Sequence, residues 1–201
     1  MIQKPMFSPQ TEWLPPDSFP DLSKYDEIAI DLETKDPELK TMGSGSVTGR
    51  GRIVGIALAV DNWSGYYPIA HEGGGNMDEK MVMNYFRTIL NLPSRKIFHN
   101  AMYDVCFIRA AGLEIHGEIV DTMIAGSLVD ENRFRYDLGS MGRDYLGKGK
   151  NEAVLNETAA IWGVDPKSEM YKLPAMYVGE YAERDAEMTL ELWQEMKKEI
   201  Y

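Results

Sequence analysis

Residues 27–33 read Glu-Ile-Ala-Ile-Asp-Leu-Glu. The run alternates and is rich in β-prone residues, so it predicts a strand. Strand side chains alternate between faces, which puts Asp31 and Glu33 on the same face, two residues apart. Like charges placed so closely repel, and burying them demands a raised pKa or a cation. Taken alone, the Asp-x-Glu pattern reads more simply as a strand end whose acids are solvated.

Working outward, Arg52–Val60 is near-continuously apolar and predicts a second, central strand. Residues 61–65 (DNWSG) read as a turn and 66–70 (YYPIA) as a third strand closing an antiparallel meander. Residues 35–51, polar and rich in glycine and serine, read as a long mobile loop. Over 79–91, Met81, Tyr85, Phe86, Ile89 and Leu90 fall at helical spacing, with Asn76 or Asp78 as the cap. Short strands within 94–100 and 117–122 lead into helices at 101–112 and 123–129, and Gly112 closes the first of these. Two more helices are expected between 137 and 162, around a glycine-lysine loop at 147–151. A long amphipathic helix over 176–200 carries glutamates early and lysines late, as the helix dipole favours. A meander followed by alternating strands and helices predicts an α/β fold with a mixed sheet flanked by helices.

The 201 residues suit one domain with a real core, residues 25–201, preceded by a polar, proline-rich extended arm over 1–24. No apolar run approaches the length of a bilayer, and the N-terminus has no signal-peptide pattern. The single cysteine, Cys106, allows no disulfide framework, fits a reducing cytoplasmic compartment, and reads as a small apolar filler beside Val105, Phe107 and Ile108. With 21 Lys+Arg against 32 Asp+Glu, the net charge of −11 argues against bulk attraction to phosphate. That argument weakens if the acids hold divalent cations, which reverse the local sign.

Two further acidic motifs accompany the first. Asp104 sits in Asn-Ala-Met-Tyr-Asp-Val-Cys-Phe (100–107), a carboxylate in an otherwise apolar run at a strand-to-helix junction. There it either favours the helix N-terminus or is paired, hydrogen-bonded or metal-bound. Tyr181 and Asp185, four apart on the closing helix, share a face. Asp31-x-Glu33, Asn100-x-x-x-Asp104 and Tyr181-x-x-x-Asp185, in this order, resemble the DEDD family of 3′-to-5′ exonucleases, in the subclass with tyrosine in its third motif. The segments IVGIALAV…GYYPIAH (53–71) and IFHNAMYDVCFIRAAGLEI…DTMIAGSLVD (97–130) make the likeness closest to the proofreading domain of family A, polymerase I-like DNA polymerases.

The resemblance implies a ribonuclease-H-like sheet of five strands, three antiparallel plus parallel ones, flanked by helices. It implies that Asp31, Glu33, Asp104 and Asp185 ligate two Mg²⁺ or Mn²⁺ ions. Asp31 would bridge both, Glu33 and Asp185 would serve the water-activating ion, and Asp104 would act through the outer shell of the second. Tyr181 would orient the attacking water. Leu32, Thr34, His99 and Asn100 would lie at the substrate, Asn100 near the 3′ terminus and His99 where the polymerase I branch commonly has glutamine. Two hard cations about 4 Å apart suit phosphodiester hydrolysis. Oxygen ligands suit Mg²⁺ or Mn²⁺, and three histidines with one cysteine disfavour zinc.

The implied activity is release of nucleoside monophosphates from the 3′ end of single-stranded or frayed DNA, in proofreading or end-trimming. The implied setting is cytoplasmic, in a bacterium or a phage-infected host, with a DNA polymerase domain or subunit as a partner and no membrane. The oligomeric state stays open. The alternatives are an RNA 3′-5′ exonuclease and a non-catalytic nucleic-acid- or protein-binding module on the same fold. At this length no polymerase palm or fingers would follow, so a stand-alone enzyme or an excised domain is expected. Arg133, Arg135, Arg143, Lys148 and Lys150, against Asp137 and Asp144, form one basic segment, and Arg50 and Arg52 a second; either could touch phosphates of a strand. Tyr103, Phe107 and Tyr136 read as packing residues before stacking partners. GRDYLGKG (142–149) lacks the Ser or Thr of a phosphate loop and follows no strand, so that reading is rejected.

Overall fold

Glu27–Lys35 forms β1, the middle strand of a five-stranded sheet, in a computed structural model that describes Met6 and residues 9–201. Short helices α1 (Leu39–Met42) and α2 (Gly45–Thr48) follow, then β2 (Arg52–Val60) and β3 (Trp63–Pro68). Next come α3 (Glu79–Leu90), β4 (Arg95–Phe98), α4 (Ala101–Ala110), β5 (Ile119–Asp121) and α5 (Thr122–Val129). Helix α6 (Leu138–Met141) runs into a π-helical turn at Gly142–Leu146, and α7 (Ala153–Trp162) and α8 (Gly179–Ile200) complete the chain. The strand order is β3-β2-β1-β4-β5. The β1–β2 and β2–β3 pairs are antiparallel, while β1–β4 and β4–β5 are parallel, which is the mixed sheet expected.

Three local expectations are corrected. The second hairpin closes at residues 61–62, with Val60 paired to Trp63, so β3 begins three residues earlier than expected. Asn62 makes this possible by adopting a left-handed φ of 65°, which lets two residues turn the chain. The glycine-rich segment 35–51 holds α1 and α2, and the Gly45 amide donates to Asp36 Oδ1 at 3.0 Å. The final α-helix starts at Gly179 rather than 176, because Ala175–Tyr177 winds as a separate 3₁₀ turn after Pro174. Of the two candidate caps, Asp78 accepts from the Met81 amide, whereas Asn76 bonds the backbone of His71.

Period-two alternation splits the core. Ile28, Ile30 and Leu32 of β1 face α3 and α4, packed with Phe86, Phe98 and Ile108. Ala29 faces the other way, with Ala57 and Ala59 of β2, beneath Ala182, Ala186 and Leu190 of α8. Small residues on this second face let the long helix approach the sheet closely. Trp193 Nε1 and Lys197 Nζ both bond Glu27 at 2.9 Å, tying the end of α8 to the start of β1. Within the arm, residues 1–5, 7 and 8 lie outside the described residues, and the rest to Ser23 carries no helix or strand. Trp13 is nonetheless buried against α8, and Leu22 is buried on the opposite face. Among the described residues, no helix is long and apolar enough to cross a membrane.

Lys96 is a fully buried cation in β4. Its ammonium donates to the carbonyls of Leu92, Ser94 and His116, the last two at 2.9 and 2.8 Å. Burial pulls its pKa down to about 8. The side chain gathers the turn before β4 and the approach to β5 onto one charge. Lys96→Met would leave the Leu92, Ser94 and His116 carbonyls without their shared donor, and is expected to cost about 1–3 kcal/mol in denaturant unfolding. A midpoint equal to that of the parent would show that the carbonyls need no such donor.

Candidate active site

The site is built by β1 and α8. Asp31 and Glu33 leave β1 on the face opposite Leu32, toward α8. Their cross-strand partners on β2 are the small residues Ala57 and Gly55. Gly55 is obligatory: a Cβ there would lie 2.0 Å from the hydroxyl oxygen of Tyr66. The Tyr66 hydroxyl in turn bonds His71 Nε2 at 2.6 Å, and His71 Nδ1 donates to the Leu173 carbonyl. The β1–β2 register shifts between Glu33 and Thr34. Such a bulge breaks the regular register beside the acids, and pairing resumes at Thr34 with Ile53. On α8, Tyr181 and Asp185 sit one turn apart and face the same cleft.

That cleft, about 1000 Å³ in volume, is lined by Asp31, Leu32, Glu33, Tyr181 and Asp185. Arg135, Arg143, Lys150 and Lys167 line it too. Asp104 lies behind the wall, 5% exposed, on the first turn of α4, where it feels the charge of Asp31. Three other sequence candidates are off the wall. The Thr34 hydroxyl donates to Tyr103, whose hydroxyl donates to Asp36, both at 2.9 Å. His99 Nδ1 is 2.9 Å from the Thr122 hydroxyl, and its Nε2 is buried without a partner. Asn100 is exposed, with a left-handed φ of 64°.

Sequence reading gave no site role to two residues that shape this region. Asp121 accepts from the amides of Asn100, Ala101 and Met123 at 2.8–2.9 Å, holding the turn that launches α4 and so the position of Asp104. An Asp at a strand-to-helix junction is the only local hint of it. Lys150, read only as part of a basic segment, reaches into the cleft. Its Nζ donates to Asp185 Oδ2 at 2.8 Å and to the Tyr181 hydroxyl at 3.1 Å. The rest of that segment divides: Arg133 pairs with Asp144 and Lys148 with Glu191, while Arg135 and Arg143 face the cleft. Arg50 and Arg52 pair with Glu38 and Glu79 outside it.

The acids are electrostatically strained. Burial, then the charge of Asp185, pushes Asp31 up to about 7, with Lys150 opposing. Burial also raises Glu33 well above the usual range, helped by Asp31 and Asp185. Asp104 is raised by burial and by Asp31, against the Leu32 backbone. Asp185 is raised by burial, although Lys150 and Tyr181 pull it back. Burial pulls the Lys150 ammonium down, but Asp185, Asp31 and Glu33 outweigh that and leave it raised. Buried and beside these acids, the Tyr181 phenol is held in its neutral form.

The chemistry of the donor set suits a hard divalent cation. All four acids offer oxygen, and Asp104 Oδ2 and Asp185 Oδ1 are buried without any hydrogen-bond partner. Among the described residues, no three acid, histidine or cysteine side chains are gathered so as to hold an ion. Here the Lys150 ammonium supplies the positive charge at Asp185.

A model of the family described as 3′-5′ exonuclease matches residues 7–201. The chain is 34% identical, over 99% of its length, to a DNA-directed DNA polymerase of Pseudomonas phage M6, and spans 31% of that relative. It is 22% identical, over 89% of its length, to DNA polymerase I of Borreliella burgdorferi, and spans 18% of it. In fold it is similar to Trypanosoma brucei RNase D, with TM-score 0.63 and 18% identity, covering 87% of this chain and 58% of that one. Brucella melitensis NrnC gives 0.60 and 19%, covering 89% and 75%.

The repulsion has a measurable sign. An unfolded aspartate titrates near 4, while Asp31 in the fold titrates at about 7. Between these values the folded chain holds the extra proton, so this group removes stability as pH rises. Buried His71, held down at about 4, slopes the other way from its unfolded value near 6.5. The informative quantity is therefore a difference between variants. In chelator, Asp31→Asn is expected to melt above the parent, by a margin that widens from about pH 4 to about pH 7. A constant or reversed margin in a thermal-melt series would remove this account.

Proposed function

This chain belongs to the 3′-5′ exonuclease family of family A DNA polymerases, and we propose that it releases nucleoside monophosphates from the 3′ end of single-stranded or frayed DNA, in proofreading or end-trimming. The observation that carries the reading is the convergence of Asp31 and Glu33 of β1 with Tyr181 and Asp185 of α8 on one cleft, with Asp104 behind them. Identity to a phage DNA polymerase favours DNA over RNA as substrate, and supports a polymerase domain or subunit as the partner. Phage and bacterial relatives support a bacterial cytoplasm as the setting. We take 25–201 as the exonuclease unit, with the arm 1–24 as an appendage anchored by Trp13.

Two Mg²⁺ or Mn²⁺ ions, when bound, would supply the Lewis acidity that activates water and stabilises the departing 3′ oxygen. Asp31, Glu33 and Asp185 would hold them, with Asp104 supporting from behind Asp31. Tyr181, neutral and rigid on α8, would position the attacking water by a hydrogen bond. Arg135, Arg143 and Lys167 line the same cleft and would meet the phosphates of the strand. This basic wall serves the strand in place of Arg50 and Arg52, which are paired with acids elsewhere. Leu32 would contact the terminal nucleotide from the wall. Thr34, His99 and Asn100 would act at the cleft's margin, the last near the 3′ terminus.

With Mn²⁺, 5′-labelled single-stranded DNA is expected to shorten stepwise from its 3′ end, faster than RNA of the same sequence. Asp31→Ala should abolish cleavage without unfolding the chain. Tyr181→Phe should slow it by about 10²-fold while leaving the metal-induced rise in melting temperature intact. Faster loss of RNA would make this an RNA exonuclease, and no shortening of either would leave a binding module.

A further inference from the structure

Lys150 has a place in this site that its sequence context does not explain. It lies in the loop 147–152, between the π-helical turn and α7. Lys148, two residues earlier, is anchored to α8 through Glu191 at 2.6 Å. Between them a Cβ at Gly149 would meet open space. The lysine side chain is 22% exposed and its partner Asp185 6%, so this is no surface pair. Its ammonium touches both functional groups of the third motif, Asp185 and Tyr181, and no other acid among the described residues.

Asp185 Oδ2 is occupied by that ammonium, whereas Asp185 Oδ1 and Asp104 Oδ2 are buried with no partner. One positive charge serves a cluster of several acids and leaves part of it unsatisfied. A divalent cation bound to Asp185 and an ammonium on the same carboxylate would repel each other strongly at this range. Both cannot keep their best position.

We propose that Lys150 is a resident counter-cation that competes with divalent metal for Asp185. It neutralises Asp185 and engages Tyr181 when metal is absent, and it must swing out on the Gly149 side of its loop for metal to use that carboxylate fully. Lys150 is thus a positioning residue that sets metal affinity. It also keeps the helix α8 acids tolerable beneath the sheet before metal arrives. This rests on the metal-dependent reading of the site.

The test titrates MnCl₂ into chelator-stripped full chain by calorimetry and follows melting temperature in parallel. Lys150→Met keeps the length of the side chain and removes the charge, Lys150→Arg keeps the charge, and Lys150→Gln serves if the methionine variant does not fold. Expected for Lys150→Met are a lower metal-free melting temperature, Mn²⁺ affinity at least about tenfold tighter, and a larger metal-induced rise. Lys150→Arg should stay close to the parent. Equal or weaker Mn²⁺ affinity in Lys150→Met, with the parent binding metal normally, would overturn the role of Lys150 alone. Absence of Mn²⁺ binding in every protein would overturn the metal reading of the cleft as well.

Discussion

Helix α8 crosses β1 where both elements carry acid, and charge of one sign pushes them apart. Everything that holds this contact together lies outside the acids. Ala29, Ala57 and Ala59 on the sheet meet Ala182 and Ala186 on the helix, and dispersion between closely approaching backbones resists the repulsion. At the far end, Glu27 binds both Trp193 and Lys197. At the near end, Trp13 Nε1 donates to Glu183. The acids are thus clamped between apolar and polar fastenings on either side, and Lys150 supplies a positive charge that reaches Asp185 of α8 in the cleft.

A second set of contacts fixes the depth of the cleft. Asp121 gathers the amides at the start of α4, which seats Asp104 behind Asp31. Thr34, Tyr103 and Asp36 form a hydroxyl relay from the end of β1 through α4 to the loop that holds α2. The relay begins at the bulge, where the pairing of β1 with β2 shifts register. The strand that presents Asp31 and Glu33 is therefore fastened by side chains at the point where its ladder shifts register. Tyr103 and Phe107, whose rings stand 5.1 Å apart, serve this packing.

Local periodicity made the essentials legible. The two-residue spacing of Asp31 and Glu33 and the four-residue spacing of Tyr181 and Asp185 each determine a shared face by backbone geometry alone. The sheet followed from apolar runs, because β2 is buried along almost its whole length. What escaped depends on one local backbone conformation and on contacts between distant parts of the chain. Whether Asn62 closes the hairpin in two residues depends on its own left-handed φ, and DNWSG reads equally well as a longer turn. Lys96 looks like an ordinary strand lysine, and its three carbonyl partners come from loops that only the fold brings together. Lys150 belongs to a run of basic residues of which some pair outward and others reach the acids. That division exists only in the folded chain and is invisible in composition.

Trp13 rests on the backbone of Gly179, where any Cβ would fall 2.0 Å from the indole ring. That contact sits two residues before Tyr181, at the first turn of α8. A larger residue at 179 would have to lift or roll the helix, and a rigid helix passes such a roll along its length. The side chains at 181 and 185 would then sweep sideways across the cleft together, as cranks on one shaft. The far-off indole is thereby the stop that fixes the angular setting of the third motif.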